Sequence, residues 1–518
     1  MKTNILSKVG LMVAIVAPLA LTSCSDNFLK VTPPDRATNG EYFSTAEHIT
    51  ENIIATYNPM RVYDFNYDRI VNGSGMDGQY SPLNMCSDVM GDDVWVGGSS
   101  SSDNRHLHLM ANFASTQNSG DALMGIWRQS YRGIRNANDV LVFTEESKAN
   151  LTNTQYNLFT AEAKVLRAFY YCQLWKFYGN IPYFTKNMTS NYAANQLGHD
   201  EIYNNVITEL ADAIDGGALP MKRVDAEVGR VSKAMAEMLF AEMVMYQNDE
   251  SRYSKALGYM QEIINSGSYA LAADYAGIFL ESGEWSSESI FEINYKDDNG
   301  IRSWNGGYIN AGGSVYPRLI SPADYDKTDG IDAGWGFEPV RQECYDMFNE
   351  KDARRDATIY HATGKYTKRY QNTGLWLKKY IAYTENNKDQ KADADLNFNN
   401  NLRIYRYAET LLNAAELIVR TNGDAAKAQE YLNLVHHRAG LTDNVAANID
   451  NIINERHLEF VGEGKRYWDL VRTGKAKSTL VPDEYGYRTN TWSESKKYLP
   501  IPLTEIDASE GTLTQNNY

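Results

Sequence analysis

Leu158, Ala161, Val165, Phe169 and Cys172 follow one another at intervals of three and four residues. That is the stripe one face of an α-helix presents to a core. The segment carrying them, TQYNLFTAEAKVLRAFYYCQLWKFYGNIP, ends at Gly179, Asn180 and Pro182, residues that stop helices. The same period returns in HDEIYNNVITELADAIDGG, where Asp200 is the expected N-cap. It returns again in GRVSKAMAEMLFAEMVMYQ, with Ser232 as cap and Ala234, Leu239 and Met243 facing inward, and in SKALGYMQEIINSG. Further helices are expected in YRYAETLLNAAELIVRTNG, DAAKAQEYLNLVHHRAG and NIDNIINERHLEFVGEGKRYWDLVRTG. Only 288–295, ESIFEINY, alternates like a strand.

Two stretches break the pattern. Near 64–121 and again near 296–340 the chain turns to Gly, Ser, Asp and Asn with scattered aromatics. These read as long surface loops, the parts of a fold that most often carry function. Helix pairs closed by Gly or Asn-Gly suggest helical hairpins of the tetratricopeptide kind, without the strict 34-residue period. The expected fold is therefore mainly α: an irregular tetratricopeptide-like helical-repeat scaffold with loop-rich insertions and a few short strands.

The N-terminus changes the picture of location. Lys2 and Lys8 are followed by an uncharged LMVAIVAPLALTSC, the basic and apolar regions of a secretory signal. The apolar run falls short of the roughly 20 residues needed to span a bilayer. Leu21-Thr22-Ser23-Cys24 resembles a bacterial lipobox. That implies a signal peptide over 1–23, lipidation of Cys24, a polar tether over 24–45 with Pro33-Pro34, and one large domain over 46–518. The net charge of −16 suits neither nucleic acid nor an anionic membrane face. Cys86, Cys172 and Cys344 remain after Cys24, too few for a disulfide scaffold.

Several fragments together resemble the SusD/RagB family of nutrient-uptake lipoproteins. They run in family order: CSDNFL, WRQSYRGIRNANDVL, AEAKVLRAFYYCQLWKFYGNIPYF, GRVSKAMAEMLFAEMVMY, YALAADYAGIF with SIFEINY, YRYAETLLNAAE, LNLVHHRAGL, ERHLEFVGEGKRYWDLVRTG, LPIPLTEI and QNNY. The resemblance covers nearly the whole chain. It implies a glycan-binding lipoprotein of the outer-membrane surface, acting as a lid on a SusC-like TonB-dependent transporter.

Catalytic chemistry finds little support. G-x-S-x-G, H-E-x-x-H and the Walker loop are absent. With 66 acidic residues, carboxylate pairs of the kind glycosidases use arise by chance. His436 and His437 are adjacent and cannot form an i, i+4 metal pair, whereas His106 and His108 would share a strand face without an evident third ligand. The acidic run at 324–332 has its glycine one place too late for an EF-hand. No cofactor is expected, and structural calcium elsewhere stays open. Glu455, Arg456, Glu459, Glu463, Arg466 and Asp469 are expected to satisfy one another across two helices parted at Gly462 and Gly464. Trp127, Trp175 and Trp468 fall in helical patterns and are expected in the core.

Binding chemistry is better supplied. Sugar rings offer apolar faces to aromatic side chains and hydroxyls to Asp, Asn and Arg. The resemblance places a glycan site among loop aromatics, which on regional placement points to Trp95, Trp304 and Tyr308. Asp88, Asp93, Arg105 and Asn305 are the candidate polar partners. Trp335, in GWGFEP, reads as structural. Three alternatives remain at this level: a peptide-binding protein of the same fold, a secreted glycoside hydrolase, and an assembly adaptor without a small ligand.

Overall fold

A computed structural model describes residues 39–64, 80–116, 124–188, 194–297, 302–304, 312–326, 329–389 and 392–516. The helices that position the site are α1 (Ala46–Tyr57), α2 (Leu83–Asp88), α3 (Arg105–Ala111), α4 (Met124–Glu146), α5 (Asn153–Tyr178), α6 (His199–Asp215), α7 (Lys233–Gln247), α8 (Tyr253–Asn265), α9 (Tyr316–Ile320), α10 (Tyr407–Arg420), α11 (Ala425–Arg438), α12 (Ile449–Phe460) and α13 (Arg466–Arg472). Neighbours in the chain pack as hairpins, α4 on α5, α7 on α8 and α10 on α11, and α10 also lies against α8. This is the expected helical-repeat scaffold.

Helix α5 is the spine. Thr152 caps it by accepting from the Gln155 amide at 3.2 Å, and the Gln155 side chain accepts from the Thr152 amide at 3.0 Å, a capping box. Its 26 residues make it about 39 Å long. From Ala161 onward nearly every side chain is buried, because helices cover it on several sides. Gly133 of α4 lets this happen. A Cβ there would stand 2.2 Å from the Tyr170 ring, and that ring is tethered by its hydroxyl to the Thr56 carbonyl. Ser232 caps α7 as expected, accepting from the Met235 amide at 3.1 Å. Asp200 does not cap α6. Gly198 holds the cap position, and the Asp200 carboxylate accepts from Gln247 of α7 at 2.9 Å.

The strands form three antiparallel pairs: β1 (Ile181–Pro182) with β2 (Gln196–Leu197), β3 (Ser289–Ile293) with β6 (Leu402–Arg406), and β4 (Ile359–His361) with β5 (Leu375–Leu377). The β3–β6 pair matches Glu292 with Arg403 and Ile293 with Leu402. Among the described residues no helix is long and apolar enough to cross a membrane.

Two expectations need correction here. The stretches near 64–121 and 296–340 are not mere surface loops. They contain α2, α3 and α9, and they bury Met85, Cys86, Val94, Leu107, Met110, Leu319 and Phe337 in the main core. The short helices escaped notice because Gly and Ser flank them closely. His106 and His108 lie on α3, not on a strand; His106 is buried with Nε2 at 3.1 Å from the Tyr80 carbonyl.

The acidic and basic residues of the C-terminal block do pair, but mostly outside their own segment. Arg456 meets Asp469 at 2.8 Å as expected. Glu455 is held by Arg354 at 2.6 Å, Glu459 by Arg354, Arg406 and Arg438, and Glu463 by Arg406 and Lys379. These groups are almost fully buried. They bolt β6, α11, α12 and the segment after β5 into one block.

Candidate functional site

Between α2 and α3 the chain runs extended and pairs with residues 336–340. The Trp95 amide donates to the Pro339 carbonyl at 2.9 Å, Glu338 to Val96 at 3.0 Å and Gly98 to Gly336 at 2.9 Å. Close approach demands glycine at position 97. Its φ is +76°, and a Cβ would fall 2.3 Å from the Gly336 oxygen. On the far side of 336–340, Val340 donates to Leu375 at 2.9 Å. This irregular ladder carries Trp95 on its own backbone, and Trp335 directly precedes its 336–340 segment.

Two aromatic groups rise from it. In the first, the Trp304 and Trp335 indoles lie 6.0 Å apart with planes inclined by 38°, and Trp335 meets Tyr80 at 5.3 Å. Trp304 and Trp335 are both half-buried and packed against the main core, so each keeps some surface exposed. The Trp304 amide donates to Asp393 Oδ2 at 2.7 Å, and Arg369 donates to the Trp335 carbonyl at 3.1 Å. Polar side chains therefore hold the backbone of both tryptophans. In the second group, Trp95 lies edge-on to Tyr487 at 5.1 Å and Tyr485 at 5.9 Å, with the Arg341 guanidinium 4.1 Å over its ring.

The expected ligand residues are distributed unevenly. Trp304 sits in the open group. Trp95 is only 6 % exposed; it is the floor beneath two tyrosines rather than an open platform. Asp88 is buried and accepts from the Gly464 amide at 3.0 and 3.2 Å. Asp93 is buried and meets His457 Nε2 at 2.5 Å. Both carboxylates hold the scaffold together, which removes them from the outer face. Arg105 is exposed at the start of α3. Tyr308, Asn305 and Cys24 lie outside the described residues. Trp335, read as structural from sequence, faces Trp304; its place between two glycines in a polar stretch was the available signal. Tyr80, Tyr370, Tyr485 and Tyr487 were also missed, hidden among 36 tyrosines.

Two family models match the chain, the SusD family over residues 282–518 and "Starch-binding associating with outer membrane" over residues 42–240. Surface glycan-binding protein A from Bacteroides thetaiotaomicron, solved in complex with laminarihexaose, is 51 % identical with a TM-score of 0.86, covering 92 % of this chain and 100 % of that one. The chain belongs to the SusD family. Surface glycan-binding protein A from Bacteroides uniformis is 44 % identical with a TM-score of 0.81, over 92 % of this chain and 100 % of that one. A laminarin binding SusD-like protein is 28 % identical with a TM-score of 0.78, over 91 % and 99 %. These SusD-family relatives are described as binding proteins.

One cluster in this SusD-family chain has the composition of a metal site: Asp92, Asp93 and His457. Most of its groups are already engaged, Asp93 Oδ2 excepted. Arg466 grips both oxygens of Asp92, at 2.7 and 2.9 Å. Burial works to raise the Asp92 carboxyl, but Arg466, with His457 and Arg341, overrides it and brings it down to about 2. The geometry is that of an ion-pair knot tying α13 and α12 to the ladder. The acidic run at 324–332 is likewise committed. Asp329 accepts from the hydroxyls of Tyr325, Tyr360 and Thr363, and Asp324 lies 4.0 Å from Arg369.

Proposed function

We propose that this chain is a surface lipoprotein that captures laminarin-type β-1,3-glucan on Trp304 and Trp335 and delivers it to a SusC-like TonB-dependent transporter, without breaking a bond. The observation that carries the reading is the half-open Trp304–Trp335 pair, in a chain 51 % identical to a protein solved with laminarihexaose. The 38° inclination of the indoles matters for the choice of sugar. Inclined rings suit a chain that curves rather than a flat ribbon, as β-1,3- and α-1,4-linked glucose both do; the choice of β-1,3 rests on the relative solved with laminarihexaose. Arg369 and Asp393, which bond to the backbone of the two tryptophans, are the candidate partners for sugar hydroxyls. The anchor would be Cys24, with the polar stretch after it as a tether that lets the body move at the outer-membrane surface.

Affinity electrophoresis of residues 25–518 through gels containing laminarin, starch or no glycan tests this. Retardation by laminarin, strongly reduced by Trp304→Ala and without new reducing ends, is the expected result. Retardation by starch alone would overturn the choice of glucan. New reducing ends would overturn the non-catalytic reading. Binding of a peptide library with no glycan retardation would replace glycan by peptide.

A further inference from the structure

Tyr485 is 53 % exposed, yet its loop is built to hold it still. The Asp483 carboxylate accepts from the amides of Tyr485 at 2.8 Å, Tyr487 at 3.1 Å and Arg488. Gly486 makes the turn with φ of +72°. Arg488 then pins the loop to the body, donating to the Ala111 carbonyl at 2.8 Å and the Gly91 carbonyl at 2.7 Å. Asn112 adds a second clamp by accepting from the amides of Thr489 and Asn490 at 2.7 and 3.0 Å. Exposed loop tips ordinarily carry small polar residues. Here a clamped tip offers an aromatic face to solvent.

The tip does not stand alone. Tyr485 stacks on Tyr487 at 5.9 Å with planes 24° apart, and Tyr487 meets Tyr370 at 5.5 Å. Trp95 supports both loop tyrosines from below. Tyr370 ties this shelf to the tryptophan pair. Its amide donates to the Gly98 carbonyl at 3.1 Å, and the residue before it, Arg369, donates to the Trp335 carbonyl. Consecutive Cα atoms lie about 3.8 Å apart, so adjacent residues, Arg369 and Tyr370, link the two aromatic groups.

We propose that Tyr485, Tyr487 and Tyr370 form a second stacking subsite for the same glucan chain, engaging sugar units beyond those on Trp304 and Trp335. This rests on the glucan reading of the tryptophan pair. Occupying the second subsite is an intramolecular event once the first is filled, so it adds affinity only for chains long enough to reach it. The shelf therefore turns a platform for short oligosaccharides into a selector for long ones.

Calorimetric titration of laminaritriose and laminarin into the wild-type chain, Tyr485→Ala, Tyr485→Phe and Trp304→Ala tests this. Tyr485→Ala is expected to weaken laminarin roughly tenfold and leave the trisaccharide within about twofold. Tyr485→Phe, which keeps the ring, should match wild type for both. Trp304→Ala should weaken both ligands, roughly 30-fold. An unchanged laminarin affinity in Tyr485→Ala, beside a loss in Trp304→Ala, would overturn the shelf and leave the platform standing. An equal loss of both ligands in Tyr485→Ala would also overturn it. No effect of Trp304→Ala on either ligand would overturn the platform, and the shelf with it. The thermal midpoint of Tyr485→Ala, expected unchanged for a half-exposed side chain, separates loss of contact from loss of fold.

Discussion

The indoles of Trp304 and Trp335 face one another 6.0 Å apart at 38°, while Trp95, on the same ladder, is sealed beneath Tyr485 and Tyr487. The three tryptophans should respond differently to truncation. Trp304→Ala and Trp335→Ala remove open surface and should each weaken laminarin by about 2 kcal/mol, roughly 30-fold. Because both indoles are half-buried against the core, these two substitutions should lower the thermal midpoint, but less than Trp95→Ala does. Trp95→Ala empties a filled site and should cost roughly 3–5 kcal/mol of stability. Calorimetric titration beside thermal unfolding separates the two patterns; equal loss of stability in all three would refute the distinction.

The buried charge network should give the protein a defined acid limit. Burial pushes the Glu459 carboxyl up, but Arg438, Arg406 and Arg354 overcome it and hold it at about 2, below its ordinary 4.5. A depressed carboxyl contributes stability that is complete above 4.5 and lost as pH falls toward 2. Glu459→Gln leaves three guanidinium groups short of a charge and should cost about 3–5 kcal/mol at neutral pH. The gap between variant and wild type should narrow as pH drops below 4.5. Urea unfolding across that range checks it, and a gap that widens on acidification would contradict the assignment.

Gly133 should be intolerant of any side chain. Its α-helical neighbours would accept alanine on propensity alone, with a gain of up to about 1 kcal/mol. The Tyr170 ring, 2.2 Å from where a Cβ would stand, cannot swing away without breaking its bond to Thr56. Gly133→Ala should therefore destabilise by about 1–3 kcal/mol. Adding Tyr170→Leu to Gly133→Ala should recover part of the loss if the clash is the cause. Denaturant midpoints of the two variants decide it.

Helices were legible where apolar spacing was strict, as along Leu158 to Cys172, because burial of a helix face imposes that spacing. The capping of α7 by Ser232 was legible for the same local reason. The aromatic face proposed for the glycan was legible only in part. Trp304 could be chosen because it lies in an irregular segment, yet Trp95 lies in one too and is covered by a loop nearly 400 residues later in the chain. No local pattern reports such a lid. Asp88 and Asp93 looked like ligand groups because their partners, Gly464 and His457, come from the far end of the sequence. The same distance hid Tyr485 and Tyr487, whose role depends on Tyr370 and Trp95 being brought beneath them.

A second carboxyl should show the opposite pH dependence to Glu459. Glu338 is buried on the ladder, accepts from the Tyr316 hydroxyl at 2.9 Å, and has a neighbour in buried Asp88. Burial drives its carboxyl up to about 8, the Tyr316 hydrogen bond opposing. Burial likewise raises Asp88, with Glu338 and Asp93 adding to the effect. A raised carboxyl binds a proton in the folded state that the unfolded chain gives up above 4.5. Its contribution is complete below 4.5 and declines as pH rises toward 8, by at most about 1.4 kcal/mol per pH unit. Glu338→Gln keeps an acceptor for Tyr316 and removes the titration. It should match wild type near pH 4.5 and become progressively more stable than wild type up to about pH 8. Thermal midpoints of the two proteins across that interval measure this. A difference that stays constant with pH would show that Glu338 does not carry a proton in the folded protein. A difference that goes on growing above pH 8 would place its carboxyl higher still.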